Sequence, residues 1–173
     1  MISDKPKIKT LSQLAGETLY ISQPTIWKFY FDLKYNDEIL GKINRKGVFR
    51  PVFNISLFDK KWEIYYPDFW PFHIAIREQG KENPVAFYKR KFFNRSGDVF
   101  LPKGKKLKMK REAFKGDFRI YNLSGKCLIT LRALVSLKSK TEIKIEENSE
   151  LLDEYPWVIF LAWRLLRQRK GSG

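Results

Sequence analysis

The feature that most constrains this chain lies near its end. There Pro156 opens a run of Trp157, Val158, Ile159, Phe160, Leu161, Ala162, Trp163, Leu165 and Leu166, broken only by Arg164. At helical spacing this run has almost no polar face, and a helix apolar nearly all the way round must be enclosed by protein or by lipid. Spanning a bilayer takes about 20 apolar residues, and backward extension of the run meets Asp153 and Glu154. The expectation is a buried core helix and no transmembrane segment. Ser149 can cap a short turn ahead of it, and Pro156 suits a first helical position, so residues 148–168 are expected to be helical.

Everything upstream reads as β. In residues 27–35, Trp27, Phe29, Phe31, Leu33 and Tyr35 alternate with Lys28, Tyr30, Asp32 and Lys34, the period of a half-buried strand. Phe53, Ile55 and Leu57 repeat the pattern, as do Trp62 with Ile64, and Phe72 with Ile74 and Ile76. Turn signals at Asn36-Asp37, Ser96-Gly97, Lys103-Gly104 and Ser124-Gly125 punctuate the rest. From residues 18–22 to residues 141–146 the pattern gives about twelve strands, at a spacing typical of sandwiches and barrels. The fold class expected is mainly β: an antiparallel closed barrel of about twelve strands with the hydrophobic C-terminal helix threaded through it. Closure removes sheet edges, and a barrel of that strand number is too wide for strand side chains alone to fill. The main alternative, a β-sandwich with the helix outside, would need a wet helical face.

At 173 residues the chain is the size of one domain, and no linker divides it. The expected organisation is a single domain over residues 1–173, with 1–17 loosely held and 171–173 an appended tail. The single Cys127 excludes an intramolecular disulfide, and residues 1–14 contain no continuous apolar stretch of the secretory kind. A cytoplasmic location, peripheral at the membrane, is the expectation.

The net charge is +15, from 34 Lys and Arg against 19 Asp and Glu. Residues 89–119 hold much of that excess, with only Asp98, Glu112 and Asp117 as acids. Such a concentration attracts polyanions, nucleic acid or anionic lipid. Within it, Lys106, Lys108 and Lys110 share one face of a strand, about 7 Å apart, while Leu107 and Met109 share the other. Lys89 and Lys91 on another strand, with Lys103 and Lys105 in the turn, complete the candidate anion-binding set. Each basic residue near an anionic membrane contributes about 1 kcal/mol. Exposed lysines also serve solvation and edge protection.

The repeated strand-and-turn pattern, above all across residues 81–111 with the turns Asn94-Arg95-Ser96-Gly97 and Lys103-Gly104, together with the helix of residues 156–166, resembles the tubby C-terminal-like superfamily. That superfamily includes the plant LURP-one-related proteins and the phospholipid scramblases. The resemblance covers roughly residues 18–168 and rests on architecture. It implies a twelve-stranded barrel around a hydrophobic C-terminal helix. Tubby proteins bind phosphoinositide headgroups through Lys and Arg on the barrel, which implies a membrane-surface role. The cysteine-rich acylation segment and proline-rich tail of scramblases are absent here, so acyl anchoring and lipid transport are not implied.

Catalytic chemistry has little material in this chain. His73 is the sole histidine and Cys127 the sole cysteine, which excludes ordinary structural zinc sites. A Cys127–His73 dyad is conceivable, but Cys127 shares parity with Ile129 and Leu131 and reads as a small buried hydrophobe. Adjacent Asp153 and Glu154 suit the N-terminal end of a helix dipole better than paired acid–base work. The expectation is a non-enzymatic binding domain without cofactor or metal, for anionic lipid headgroups or another polyanion. Single-stranded nucleic acid is the second choice, with Tyr88, Phe92 and Phe93 as candidate stacking rings. A protein-interaction scaffold is the third, signalled by carboxylates paired across the basic rows. Arg164 is expected near the barrel mouth, reaching outward with Arg167, Arg169 and Lys170.

Overall fold

A computed structural model describes residues 7–26, 28–68, 73–91, 96–113, 115–135 and 139–168. Twelve strands follow one another in the chain: β1 (Thr18–Ser22), β2 (Tyr30–Tyr35), β3 (Glu38–Lys46), β4 (Val52–Leu57), β5 (Lys60–Tyr65), β6 (His73–Glu78), β7 (Ala86–Arg90), β8 (Ser96–Phe100), β9 (Lys106–Arg111), β10 (Phe118–Tyr121), β11 (Cys127–Leu134) and β12 (Lys140–Ile145). Each pairs antiparallel with its sequence neighbours, and β1 pairs with β12 as well as β2, so the sheet closes into a barrel. The expected mainly β, twelve-stranded closed barrel is what the chain forms. Two helices follow, α1 (Glu150–Glu154) and α2 (Val158–Arg167).

Alternation decides which side chains face inward. Leu19 and Ile21, Phe31 and Leu33, Phe53 and Ile55, Leu107 and Met109, and Ile143 and Ile145 are all buried. Their neighbours Lys42, Lys89, Lys108 and Lys144 are exposed. A barrel with an apolar inside and a charged outside inverts the pattern of membrane-spanning barrels, whose outer band is apolar. No helix among the described residues is long and apolar enough to cross a membrane.

α2 contributes a large share of the buried residues. Residues Val158, Ile159, Phe160, Leu161, Ala162 and Trp163 are each 0% exposed. Trp163 packs on Phe31 of β2 at 4.6 Å and on Phe29 at 6.3 Å between ring centroids, while the same helix packs against β10 and β11. Its start, at Trp157, lies with the β4–β5 and β8–β9 connections. At its close Arg167 donates to Ser139 in the β11–β12 connection, and Gln168 donates to the Tyr66 hydroxyl beyond β5 at 2.6 Å. α1 is capped as its sequence suggests, the Ser149 side chain accepting from the Leu151 amide at 3.3 Å.

Three expectations change. Ser96 and Gly97 do not turn the chain but lie inside β8, because Gly97 leaves room for a ring: a Cβ there would sit 2.4 Å from Tyr88. Cys127 does not share parity with Ile129, because the β10–β11 register shifts between Ile120 and Tyr121, leaving both Leu128 and Ile129 buried and Cys127 half-buried opposite Tyr121. The segment 1–17 is not loosely held over its described part. Leu11 and Leu14 are buried, and the Ser12 amide donates to Asp153 at 2.8 Å. The short capped turn expected ahead of the apolar run forms as α1, and Tyr155, Pro156 and Trp157 separate it from α2. The expectations for Trp27, Phe72, Phe92, Phe93, Asn94, Arg95, Arg169, Lys170 and 171–173 lie outside the described residues.

Candidate functional site: a lysine-lined groove on one barrel wall

The antiparallel register stacks outward side chains into rows. One row runs His73, Lys89, Asp98, Lys108 and Tyr121 across β6 to β10; the next pairs Ser96, Lys110 and Arg119. The pleat of β9 sends Leu107 and Met109 into the core and Lys106, Lys108 and Lys110 toward solvent. Beside them opens a groove of about 520 Å³, lined by Lys91, Lys106, Lys108 and Lys110 together with Asp98, Tyr121, Asn122, Leu123 and Gly125.

Four of the seven expected lysines therefore meet in one groove. Lys89 stands on the adjoining strand, with its ammonium 5.7 Å from the centre of the Phe100 ring; Lys106 lies over the same ring at 4.6 Å. Lys103 and Lys105 do not join them. Lys103 occupies a single 3-10 turn, Pro102–Gly104, with φ of 57°. Lys105 bonds Glu154 of α1 at 2.5 Å and lies 6.0 Å from the Tyr155 ring, holding Glu154 below the usual carboxylate range. Its role is to tie the β8–β9 connection to the helical segment.

Carboxylates enter the groove but do not cancel it. Asp98 sits between Lys89 and Lys108 in register, 3.4 Å from Lys91, and its second oxygen is buried with no hydrogen-bond partner among the described residues. Lys110 lies 3.9 Å from Glu112, which accepts a bond from the Tyr121 hydroxyl at 3.1 Å. Lys106 and Lys108 make no ion pair among the described residues. The arrangement can hold an anion of phosphate size against two free ammonium groups.

Tyr121, Asn122 and Leu123 were missed by sequence reasoning, although the outward parity of Arg119 and Tyr121 against Phe118 and Ile120 carried the signal. Tyr88 is buried, and that burial pushes its hydroxyl up to about 12, so it offers no stacking face. His73 on β6 and Cys127 on β11 are five strands apart in the ring. His73 faces Asp68 at 3.5 Å, while Cys127 contacts Thr130 at 3.7 Å and burial pushes its thiol up. Among the described residues no three His, Cys, Asp or Glu side chains converge on a position for a metal.

No family model matches the sequence, and no curated protein matches it either. The fold is similar to the X-ray structure of a protein from Arabidopsis thaliana, with a TM-score of 0.57 and 13% sequence identity over 90% of this chain and 95% of that one. The likeness is one of fold.

Proposed function

We propose that this chain is a non-enzymatic binding domain of the tubby-like kind, with α2 as the plug of its barrel, and that its β7–β9 wall takes anionic lipid headgroups at a membrane surface. One observation carries the reading: Lys91, Lys106, Lys108 and Lys110 converge on one groove, and two of them lack a carboxylate partner among the described residues. Attraction of this kind is sequence-independent and falls with salt.

The test is cosedimentation with vesicles of neutral lipid, with and without phosphatidylserine or phosphoinositide, at low and high salt, beside a single-stranded nucleic acid competitor. Salt-sensitive binding to anionic vesicles that is lost on reversing Lys106, Lys108 and Lys110 to Glu supports the reading. Binding to neither polyanion overturns it in favour of a protein-interaction scaffold. Nucleic acid ranks second, because Phe100, an exposed ring beside the groove, already has Lys89 and Lys106 over it, and stacking needs a free ring face.

A further inference from the structure

The connections β1–β2, β3–β4 and β11–β12 are neighbours at one end of the barrel, because β11, β12, β1, β2, β3 and β4 are consecutive in the ring. Val135 and Phe49, in two of these connections, are the most exposed large apolar residues among those described, at 105% and 99%; Val48 follows at 77%, then Leu123, alone in the β10–β11 connection at the other end, at 72%, and Ile26 at 62%. Residues 23–29, 45–51 and 134–140 contain no Asp or Glu, but do contain Lys28, Arg45, Lys46, Arg50, Lys138 and Lys140.

This end is built. The Gln23 amide donates to Ser139 at 3.4 Å, joining the first connection to the last, and the Arg45 amide donates to Phe29 at 3.3 Å, joining the first to the second. The Arg45 guanidinium holds the β3–β4 tip from within, donating to the carbonyls of Gly47 at 3.2 Å and Val48 at 3.0 Å. Gly47, with φ of 82°, permits the turn that leaves Val48 and Phe49 outside. Nearby a groove of about 510 Å³ is lined by Lys28, Tyr30, Asn44, Arg45, Lys46 and Asn54, among others. Lys28 and Lys46 are exposed and make no ion pair among the described residues.

The opposite end is of mixed charge: Asp37, Glu38, Asp59, Glu78, Glu82 and Glu147 stand in or beside its turns with Lys60, Lys61, Lys81, Lys103, Lys105 and Lys126, and Asp59 pairs with Lys7, Glu78 with Lys81 and Glu147 with Lys126. The three neighbouring connections differ from it in carrying bases without an acid. Apolar tips beside Lys28 and Lys46, in connections that hold no acid, fit one occupant best: aliphatic and phenyl tips gain from leaving water for acyl chains, while the two ammonium groups remain at headgroup depth.

We propose that this end is a membrane-docking apex. Ile26, Val48, Phe49 and Val135 enter the acyl region of an anionic bilayer, and Lys28 and Lys46 hold lipid phosphates in the groove nearby. The inference rests on the anionic-membrane reading but assigns docking to a different surface, since β8 and β2 stand on opposite sides of the ring.

The experiment compares wild type, the double variant Val48→Ser with Phe49→Ser, and the triple variant Lys106→Glu, Lys108→Glu, Lys110→Glu on phosphatidylcholine vesicles with and without phosphatidylserine. An environment-sensitive label at Phe49→Cys, and separately at Asp37→Cys on the opposite end, both in a Cys127→Ser background, reads depth. The expected result is a loss of about 10-fold or more in binding for the tip variant, with a blue shift on vesicle addition at position 49 and none at 37. Unchanged circular dichroism melts show that the substitutions leave the fold intact. Wild-type binding by the tip variant, with loss in the lysine variant, overturns the apex and leaves the wall reading standing. Absence of vesicle binding by the wild type overturns both.

Discussion

The two ends of the barrel solve the same problem in opposite ways. At the end where α2 begins, the chain bonds to itself. The Ser12 amide meets Asp153, Ser12 Oγ accepts from the Ser149 amide at 3.1 Å, Lys105 meets Glu154, and Lys7 meets Asp59 at 2.8 Å. Where α2 closes, Arg167 and Gln168 find partners but Arg164 Nε does not. Arg164 Nε is buried without a hydrogen-bond partner, and the Arg164 guanidinium rests on the Phe53 ring at 4.5 Å. Arg167 lies over Phe31 and Trp163, and burial, with the repulsion of Arg164, pulls its pKa below the usual arginine value. Arg164 Nε without a hydrogen-bond partner and the three most exposed apolar residues, Val135, Phe49 and Val48, gather at this second end, a departure from internal consistency where an external partner is expected to meet the chain.

The largest expected effect breaks both ends together. Trp163→Ala removes a fully buried indole from the middle of the core, at an expected cost of about 3–5 kcal/mol. Urea denaturation should show one transition at a lower midpoint; two separated transitions would show that the ends are independent units and weaken the contrast. Next comes Asp153→Ala, which cuts the acceptor for the Ser12 amide at the bonded end and should cost about 1–2 kcal/mol. An unchanged midpoint would mean that the N-terminal segment is held by Leu11 and Leu14 alone.

Acid should discriminate more gently. Asp117, in the β9–β10 connection, is fully buried and takes two bonds from Arg132, at 2.9 and 3.0 Å; those bonds hold its carboxyl below the usual range. A depressed folded pKa gives stability that is present above the ordinary value of about 4 and is lost as pH falls through the folded value. Asp117→Asn should therefore be less stable than wild type at pH 7 and lose less stability between pH 5 and pH 2. Parallel pH profiles for the two proteins would remove Asp117 from the account of acid sensitivity.

The barrel was legible in the sequence because period-two alternation and turn residues report directly on which face of a strand is dry. The apolar run of α2 reported an enclosed helix for the same reason. Parity failed where a local irregularity reset it: the shift after Ile120 moved Cys127 to the outer side, and Gly97 resembled a turn because its role, making room for Tyr88, depends on a neighbouring strand. The β9 lysines were legible, being consecutive on one face. The grouping of Lys28 with Arg45 and Lys46 was not, because it is made by the pairing of β2 with β3 and is diluted along the chain. Lys103 and Lys105 illustrate the converse, since neighbours in sequence to the β9 row are carried to the rim by one 3-10 turn.

The smallest expected effect is the sharpest test of the contrast between the ends. Arg164 is the single polar residue within the apolar run, and a buried charge held by a carboxylate would be strongly destabilised by losing its partner. The structure gives it a ring instead. The contact with Phe53 stabilises by about 0.5–1 kcal/mol, while a buried donor without a partner costs about 1–3 kcal/mol, and leucine recovers part of the packing of the arginine stem. These terms oppose one another, so Arg164→Leu should shift the denaturation midpoint by an amount equivalent to about 0.5 kcal/mol or less in either direction. Removing the neighbouring charge also relieves Arg167, which keeps its bond to Ser139. A loss of several kcal/mol would reveal an ion pair inside the barrel and make this end as self-satisfied as the other. A neutral or stabilising result would leave the cations at the close of α2 unneeded for folding, as the docking assignment of that end requires.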